Sequence, residues 1–374
     1  MFIQSSLSNQ STFFQKIRSI DYLLIFTVIA IGVISCFAMY STDGGELNYH
    51  TKNHAIRLSL FFCLMMFISF INIKTWHSLG YLFYLVVLGL LIWASLFGIT
   101  ASGSQRWINL YFINLQPSEL MKIAIILCFA KYYHRIQLSN VNKLKNIVIP
   151  ILIIFIPTAL VISQPDLGTS VLIVLSGIIV LWLAGVNIKY FFYSSIAFII
   201  SAPFVISFLK PYQKLRILPF FDPDKDPLGA GYQIIQSKIA VGSGGLTGKG
   251  FLKGTQGYLE FLPEKHTDFI FTLFSEEFGF VGSLVLLILY AILIFRIIRI
   301  GALSRSFFGK FFCYGFGSAI FVYVTVNMSM VLGLLPIVGS PLPILSYGGS
   351  SMLATMIGLG IVMSTKIYSR QLIS

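Results

Sequence analysis

The sequence predicts an all-α, polytopic integral membrane protein with about ten transmembrane helices, one long outer loop at about 209–267, and both termini cytoplasmic. Three observations carry this. First, 56% of the 374 residues are hydrophobic and only 10% are charged, and mean hydropathy is +0.86, where a soluble chain averages about 25% charged residues. Second, the apolar residues come in long blocks with short polar connections. Third, lysine and arginine are shared unequally between alternate connections.

The blocks fall at about 21–41, 55–71, 77–98, 117–134, 147–163, 168–185, 190–208, 269–298, 311–332 and 349–365. Each is close to the roughly 20 residues a helix needs to cross ~30 Å of hydrocarbon. Residues 1–374 read as a single membrane domain, with no soluble domain attached. Lys16 and Arg18 precede the first block, and Tyr22 to Tyr40 ends without a small-x-small cleavage site, so this block is expected to be a retained span and not a signal peptide.

The formal charge of +13 is scattered between the blocks, which is no footprint for nucleic acid. It serves instead to orient the chain. With the N-terminus inside, fourteen of the 26 lysines and arginines lie in inner segments and only four (Lys52, Arg57, Arg106, Lys122) in short outer ones. The rest lie in the long loop, which the positive-inside rule weighs lightly.

The thirteen acidic residues then form a separate pattern, since acids contribute little to orientation. Asp21 alone is near an inner boundary. Asp43, Glu46, Glu119, Asp166, Asp222, Asp224, Asp226, Glu260, Glu264 and Asp268 map to the outer side, and Glu276 and Glu277 lie deeper in the eighth block. The outer face is therefore expected to be the working face. Cys36, Cys63, Cys128 and Cys313 sit in apolar blocks without a CxxC pair, and the five histidines show no ligand spacing; neither suggests a metal centre.

Within the long loop, the turn-rich DPDKDPLGAGY (222–232) is followed by QIIQSKIA (233–240), a short amphipathic helix candidate, and by glycine-rich VGSGGLTGKGFLKG (241–254). A phosphate-binding Walker loop is excluded, because Ser243 and Gly250 stand where glycine and Ser/Thr are needed. A tightly turning loop is the simpler expectation, with backbone approach to a ligand as the alternative.

Three outward helix starts carry more chemistry. QPSELMK (116–122) and QPDLG (164–168) place proline where a first helical turn accepts it, with Glu119 and Asp166 near the positive end of the dipole. Asp166 could be a simple cap or a cavity group. Glu119 and Lys122 are three apart and can share a face; a partly buried pair at a membrane boundary points to function. LPEKHTDFIF (262–271) brings Asp268 to the water–membrane edge. On an ideal helix Thr272, Ser275 and Gly279 would share its face, a stripe suited to a cleft. Capping after Thr267 is the bland alternative. If the fourth, sixth, eighth and tenth helices cluster, their N-termini with Arg106, Lys122, Arg216 and Lys238 make an anion-friendly outer cavity.

At these residues the chain resembles the SEDS family (shape, elongation, division, sporulation). The matching stretches are GSQRWINL (103–110), QPSELMKIA (116–124), QPDLGTS (164–170), DPLGAGYQIIQSKIAVGSGG (226–245), GKGFLKGTQ (248–256), FLPEKHTDFIF (261–271), EEFGFVGS (276–283) and GLLPIVGSPLPILSYGGSS (333–351). They span almost the whole chain. The Gly-Thr-Gln run and the PIVG before SPLP resemble the rod-shape branch more than the division branch, while Gly257-Tyr258 and Ser340 depart mildly from the pattern.

The resemblance implies a ten-span peptidoglycan glycosyltransferase of the bacterial cytoplasmic (inner) membrane that polymerises lipid II into β-1,4 glycan during cell elongation. It implies a class B penicillin-binding protein and elongation-complex proteins as partners. It also implies that Asp268 is the essential aspartate and that Arg106, Trp107, Glu119, Lys122, Asp166, Arg216 and Lys238 bind substrate. On that basis Asp268 is expected as general base in an inverting step, and Arg216 and Lys238, with Lys122 or a divalent cation (Mg²⁺ or Mn²⁺), as stabilisers of the departing pyrophosphate. A lipid II flippase and a non-catalytic scaffold are the rivals. A flippase needs polar groups through the full membrane thickness, and the inner half is nearly free of acids.

Overall fold

A computed structural model describes residues 13–101, 104–110, 114–208, 229–255 and 262–373. In chain order its helices are α1 (Phe13–Arg18), α2 (Tyr22–Thr42), α3 (Tyr49–Phe70), α4 (Ile73–Phe97), α5 (Pro117–His134), α6 (Leu144–Ser163), α7 (Leu167–Leu183), α8 (Ile188–Phe208), α9 (Ala230–Ser243), α10 (Ile270–Leu303), α11 (Phe307–Val331) and α12 (Gly349–Ile367). The ten longest other than α9 coincide with the ten apolar blocks. Seven of them are long and apolar enough to cross a membrane; α7 and residues 188–201 of α8 form shorter apolar helices, and α5 carries Glu119, Lys122 and Lys131. The chain is a multi-pass membrane protein.

The charges of α5 are tolerable because this helix runs through the middle of the bundle. Every residue from Pro117 to Ala130 is buried, and α4, α6, α7, α11 and α12 pack around it. A helix apolar on all sides belongs in such a centre. On the perimeter, Phe26, Leu85, Phe155 and Ile288 point outward, as expected where the surroundings are hydrocarbon.

Between α4 and α5 the all-α expectation needs an addition. Three short antiparallel strands, β1 (Ile99–Ala101), β2 (Ser104–Asn109) and β3 (Asn114–Leu115), form a sheet in the order β1-β2-β3. Thr100 pairs with Gln105, and Ile108 with Leu115. Alternation is short here and lies between two strong apolar blocks, so periodicity did not reveal it.

The expected amphipathic segment is α9. It packs on α10 and α11: Ser237 Oγ lies 2.9 Å from Thr272 Oγ1 and donates to Val331 O at 2.8 Å. The stripe of Thr272 and Ser275 is therefore occupied by α9 and its following loop, and does not line an open cleft.

The glycine-rich loop has a definite task. Helix α10 breaks at Gly279 (φ 64°, ψ −160°). There Phe280 N–H and Val281 N–H donate to Gly245 O (2.9 Å) and Leu246 O (3.1 Å), while Glu276 O and Glu277 O accept from Lys249 N–H and Gly250 N–H (both 3.0 Å). An unbroken α-helix would join those four α10 groups to one another. The loop supplies their partners instead, satisfying backbone groups within the membrane-spanning helix. The loop is tightly held at this break. At the opposite end of the bundle Asp21, the lone inner acid, caps α2 through Leu24 N–H (3.0 Å) and accepts from Arg296 Nε (3.2 Å).

Candidate functional site: an acidic cavity at four helix starts

A cavity of about 620 Å³ opens at one end of the bundle. It is lined by the starts of the four helices expected to cluster: Gln116 and Glu119 for α5, Thr169 for α7, Asp268 and Phe269 for α10, and Ser350 and Ser351 for α12. Arg106 and Trp107 of β2, Gln233 of α9 and the stretch Ile337–Gly339 complete much of the wall. The convergence is held by hydrogen bonds. Gln116 N–H donates to Ser350 Oγ (2.8 Å), and Ser350 Oγ donates to Asn114 O (2.9 Å). Helix N-termini facing one space favour a bound anion.

Asp268 lies in the turn before α10. Phe269, not Asp268, occupies the cap position, and its side chain makes no cap hydrogen bond. The Asp268 main-chain carbonyl accepts from Asn327 Nδ2 (2.9 Å). Its carboxylate faces the turn at Gly339, where a methyl group would stand 3.5 Å from Oδ2.

Asp166 caps α7 and also ties together residues of the cavity wall. Oδ1 accepts from Thr169 N–H (3.2 Å), whereas Oδ2 accepts from Thr169 Oγ1 (2.9 Å), Gln116 Nε2 (3.1 Å) and Arg106 Nη1 (2.8 Å). Pro165 precedes this cap and so lies outside the first helical turn. Asp166 itself is buried behind the wall and acts on the cavity through Arg106, whose guanidinium lies 5.9 Å from the Trp107 ring centroid.

Glu119 reaches the cavity and also pairs with Lys122 at 2.7 Å one turn deeper. Lys122 is buried beneath it, 4.4 Å from the Tyr323 ring centroid, and does not line the main cavity. Lys238 is exposed on α9 beside Gly333 and also lies outside that lining. Arg216, Asp222, Asp224, Asp226 and Glu260 lie outside the described residues. Among the described residues no three His, Cys, Asp or Glu side chains could hold a metal ion.

The stretch after α11 also lines the cavity, a placement that residue types alone do not single out. Its Gly, Pro and Ser content between two apolar blocks is a detectable loop signal. Val338 O sits so close to Gly168 that a methyl group there would lie 1.6 Å away, so α7 admits only glycine at this contact. Glu264, Gln116 and Gln233 were also unassigned lining groups. On the other side of the Asp268 turn lies a second cavity, about 470 Å³, whose lining includes Asp43, His50, Lys265, His266 and Glu277.

Fold and site together define a many-span membrane protein with an acid-bearing cavity at one end, with Arg106 in its wall. A family model described as Cell cycle protein, covering FtsW, RodA and SpoVE, matches residues 15–371. The chain belongs to this family. Peptidoglycan glycosyltransferase MrdB of Escherichia coli (strain K12) is 41% identical over 368 residues, covering 97% of this chain and 98% of the relative. Stage V sporulation protein E of Bacillus subtilis (strain 168) is 34% identical, covering 95% and 99%. Among solved structures, a chain of a peptidoglycan synthase complex that coordinates polymerization and crosslinking superposes with a TM-score of 0.81 at 30% identity, covering 94% of this chain and 99% of that one. The rod shape determining protein RodA of Thermus thermophilus gives 0.71 at 26% identity, covering 94% and 98%.

Proposed function

We propose that this protein is a peptidoglycan glycosyltransferase that polymerises lipid II at the outer face of the bacterial cytoplasmic membrane during cell elongation. The observation that carries this reading is Asp268 opening into a cavity walled by Arg106 and four helix starts. The names of relatives aligned over nearly the full chain support it.

The reaction joins a sugar 4-hydroxyl to an anomeric carbon that carries a lipid pyrophosphate. An α-linked donor giving a β-1,4 product requires inversion, hence one base and stabilisation of the leaving group. Asp268 takes the hydroxyl proton as the C–O bond forms. The pyrophosphate leaves with the bonding electrons of the anomeric C–O bond. Arg106, aimed by Asp166, and the convergent helix N-termini hold its charge. Arg106 takes this role in place of Lys238 and Lys122, because it reaches the described cavity wall. Glu119 binds sugar hydroxyls, and Trp107 offers an apolar face to the saccharide. Arg216 remains a further candidate for the pyrophosphate. A class B penicillin-binding protein of the elongation complex would cross-link the strands; the structural relative from a synthase complex supports such a partner.

Polymerisation of labelled lipid II in detergent, with the penicillin-binding partner present, tests the reading. Glycan chains are expected from the wild-type protein and none from Asp268→Asn. Normal polymerisation by the variant would remove Asp268 as base. Lipid II scrambling in vesicles without glycan would favour the flippase.

A further inference from the structure

We infer that Asn327 is a positioning residue for Asp268, tethering the aspartate's turn to the neighbouring Gly339–Ser340 turn; this rests on the glycosyltransferase reading. Asn327 lies on α11 and is fully buried. Its Nδ2 donates to two main-chain carbonyls, Asp268 O at 2.9 Å and Ser340 O at 2.6 Å. Two acceptors on one atom leave no ambiguity about which end of the amide is the nitrogen.

The geometry selects asparagine. A carboxylate has no N–H to offer, leucine keeps much of the volume and removes both donors, and either change strands two carbonyls. The two tethered carbonyls also belong to two stretches that both contribute to the cavity lining, through Asp268 on one and Gly339 and Pro341 on the other. Asp268 is on the turn entering α10, whereas Ser340 follows Gly339, the residue whose backbone the Asp268 carboxylate faces. Gly339 holds a left-handed conformation (φ 69°). One side chain outside the cavity lining thus sets the spacing between the base and the neighbouring turn. Displacement of a catalytic group by about 1 Å can cost on the order of 10²-fold in rate.

The test compares Asn327→Leu with Tyr290→Phe in the full-length protein bound to its partner. Tyr290 is also fully buried, and its hydroxyl donates to Pro343 O (2.6 Å) in the same re-entrant stretch, away from Asp268. For Asn327→Leu we expect kcat for lipid II polymerisation to fall at least 10-fold with KM within about 3-fold of wild type. Hydrogen exchange should accelerate in both 262–271 and 333–348. Tyr290→Phe should accelerate exchange only in 333–348 and keep kcat within about 3-fold. Unchanged exchange in 262–271 for Asn327→Leu overturns the tether. Equal kcat losses in the two variants overturn the positioning role. If the wild-type protein makes no glycan, the glycosyltransferase reading and the positioning role fail together, while the exchange pattern still decides the tether.

Discussion

Arg106 Nη1 donates to Asp166 Oδ2 at 2.8 Å across sixty residues of chain, joining a three-stranded sheet to the first turn of α7. The Asp166 side chain is 2% exposed and that of Arg106 21%. The buried carboxylate thus holds a cation at the cavity wall while capping its own helix. Of the two roles expected for Asp166, the cap is present in the α7 turn, and the carboxylate meets the cavity only through its hydrogen bonds to wall residues.

For this pair, Asp166→Asn should keep the cap, since asparagine caps as well as aspartate, but lose the charge that holds Arg106. Polymerisation should fall at least about 10-fold, mostly through a higher KM, with a loss of about 1–3 kcal/mol in stability. Adding Arg106→Ala should cost little more than either change alone, because both remove one interaction. Rates against lipid II concentration for the four proteins check this; additive losses would contradict it.

Glu119 and Lys122 form a pair whose side chains are 8% and 5% exposed. Removing one partner leaves a buried charge uncompensated. Lys122→Met should therefore destabilise by about 3–5 kcal/mol, whereas Lys122→Met with Glu119→Gln should recover much of it. Thermal midpoints in detergent decide the matter. The double variant should regain stability without regaining polymerase activity.

Gly248 and Gly279 are required by the loop that completes the break in α10. A methyl at Gly248 would lie 2.0 Å from Glu277 O, and one at Gly279 2.3 Å from Gly248 N, both at positive φ. Alanine at either should cost more than about 3 kcal/mol, in the range of severe steric mutations. Gly89→Ala, with open space around it, should be neutral or stabilise by about 0.5–1 kcal/mol. Folded yield and thermal midpoint compare the three; equal behaviour would remove the interlock.

Glu276 is fully buried, with Oε1 accepting from Lys249 Nζ (2.7 Å), Thr255 N–H (2.9 Å) and Thr255 Oγ1 (2.8 Å). Lys249→Met should destabilise by about 2–4 kcal/mol, the cost of taking a charge-assisted hydrogen bond from a buried carboxylate. Glu276→Gln on that background should restore part of the loss. Proteolysis within 244–255 reads the effect. Greater susceptibility in the single variant, reversed in the double, is expected.

Much of the fold was legible because hydrocarbon imposes simple demands. Each span must be long, apolar and internally hydrogen-bonded, so ten blocks appeared as ten helices. The helix start at Gln116 was visible through Pro117 and Glu119, and that at Asp166 through the acid, since Pro165 precedes the cap. The small sheet was not, since a few residues of alternation carry little signal. Nor was the break at Gly279: residues 269–298 look continuous, and the groups that replace the missing helical bonds lie more than twenty-five residues earlier.

For the site, the order of residues is enough to show which carboxylates are available and that Glu119, Asp166 and Asp268 stand at or beside helix starts. Residue type and local spacing suffice for that. Their unequal surroundings arise from packing between distant helices. It buried Asp166 behind Arg106, Glu119 above Lys122, and left Asp268 on a turn lining the cavity. It also drew in the Gly339 turn and placed Lys238 outside the wall. Those outcomes depend on which distant helix packs against which, and burial and pairing between distant segments leave no local periodicity to read.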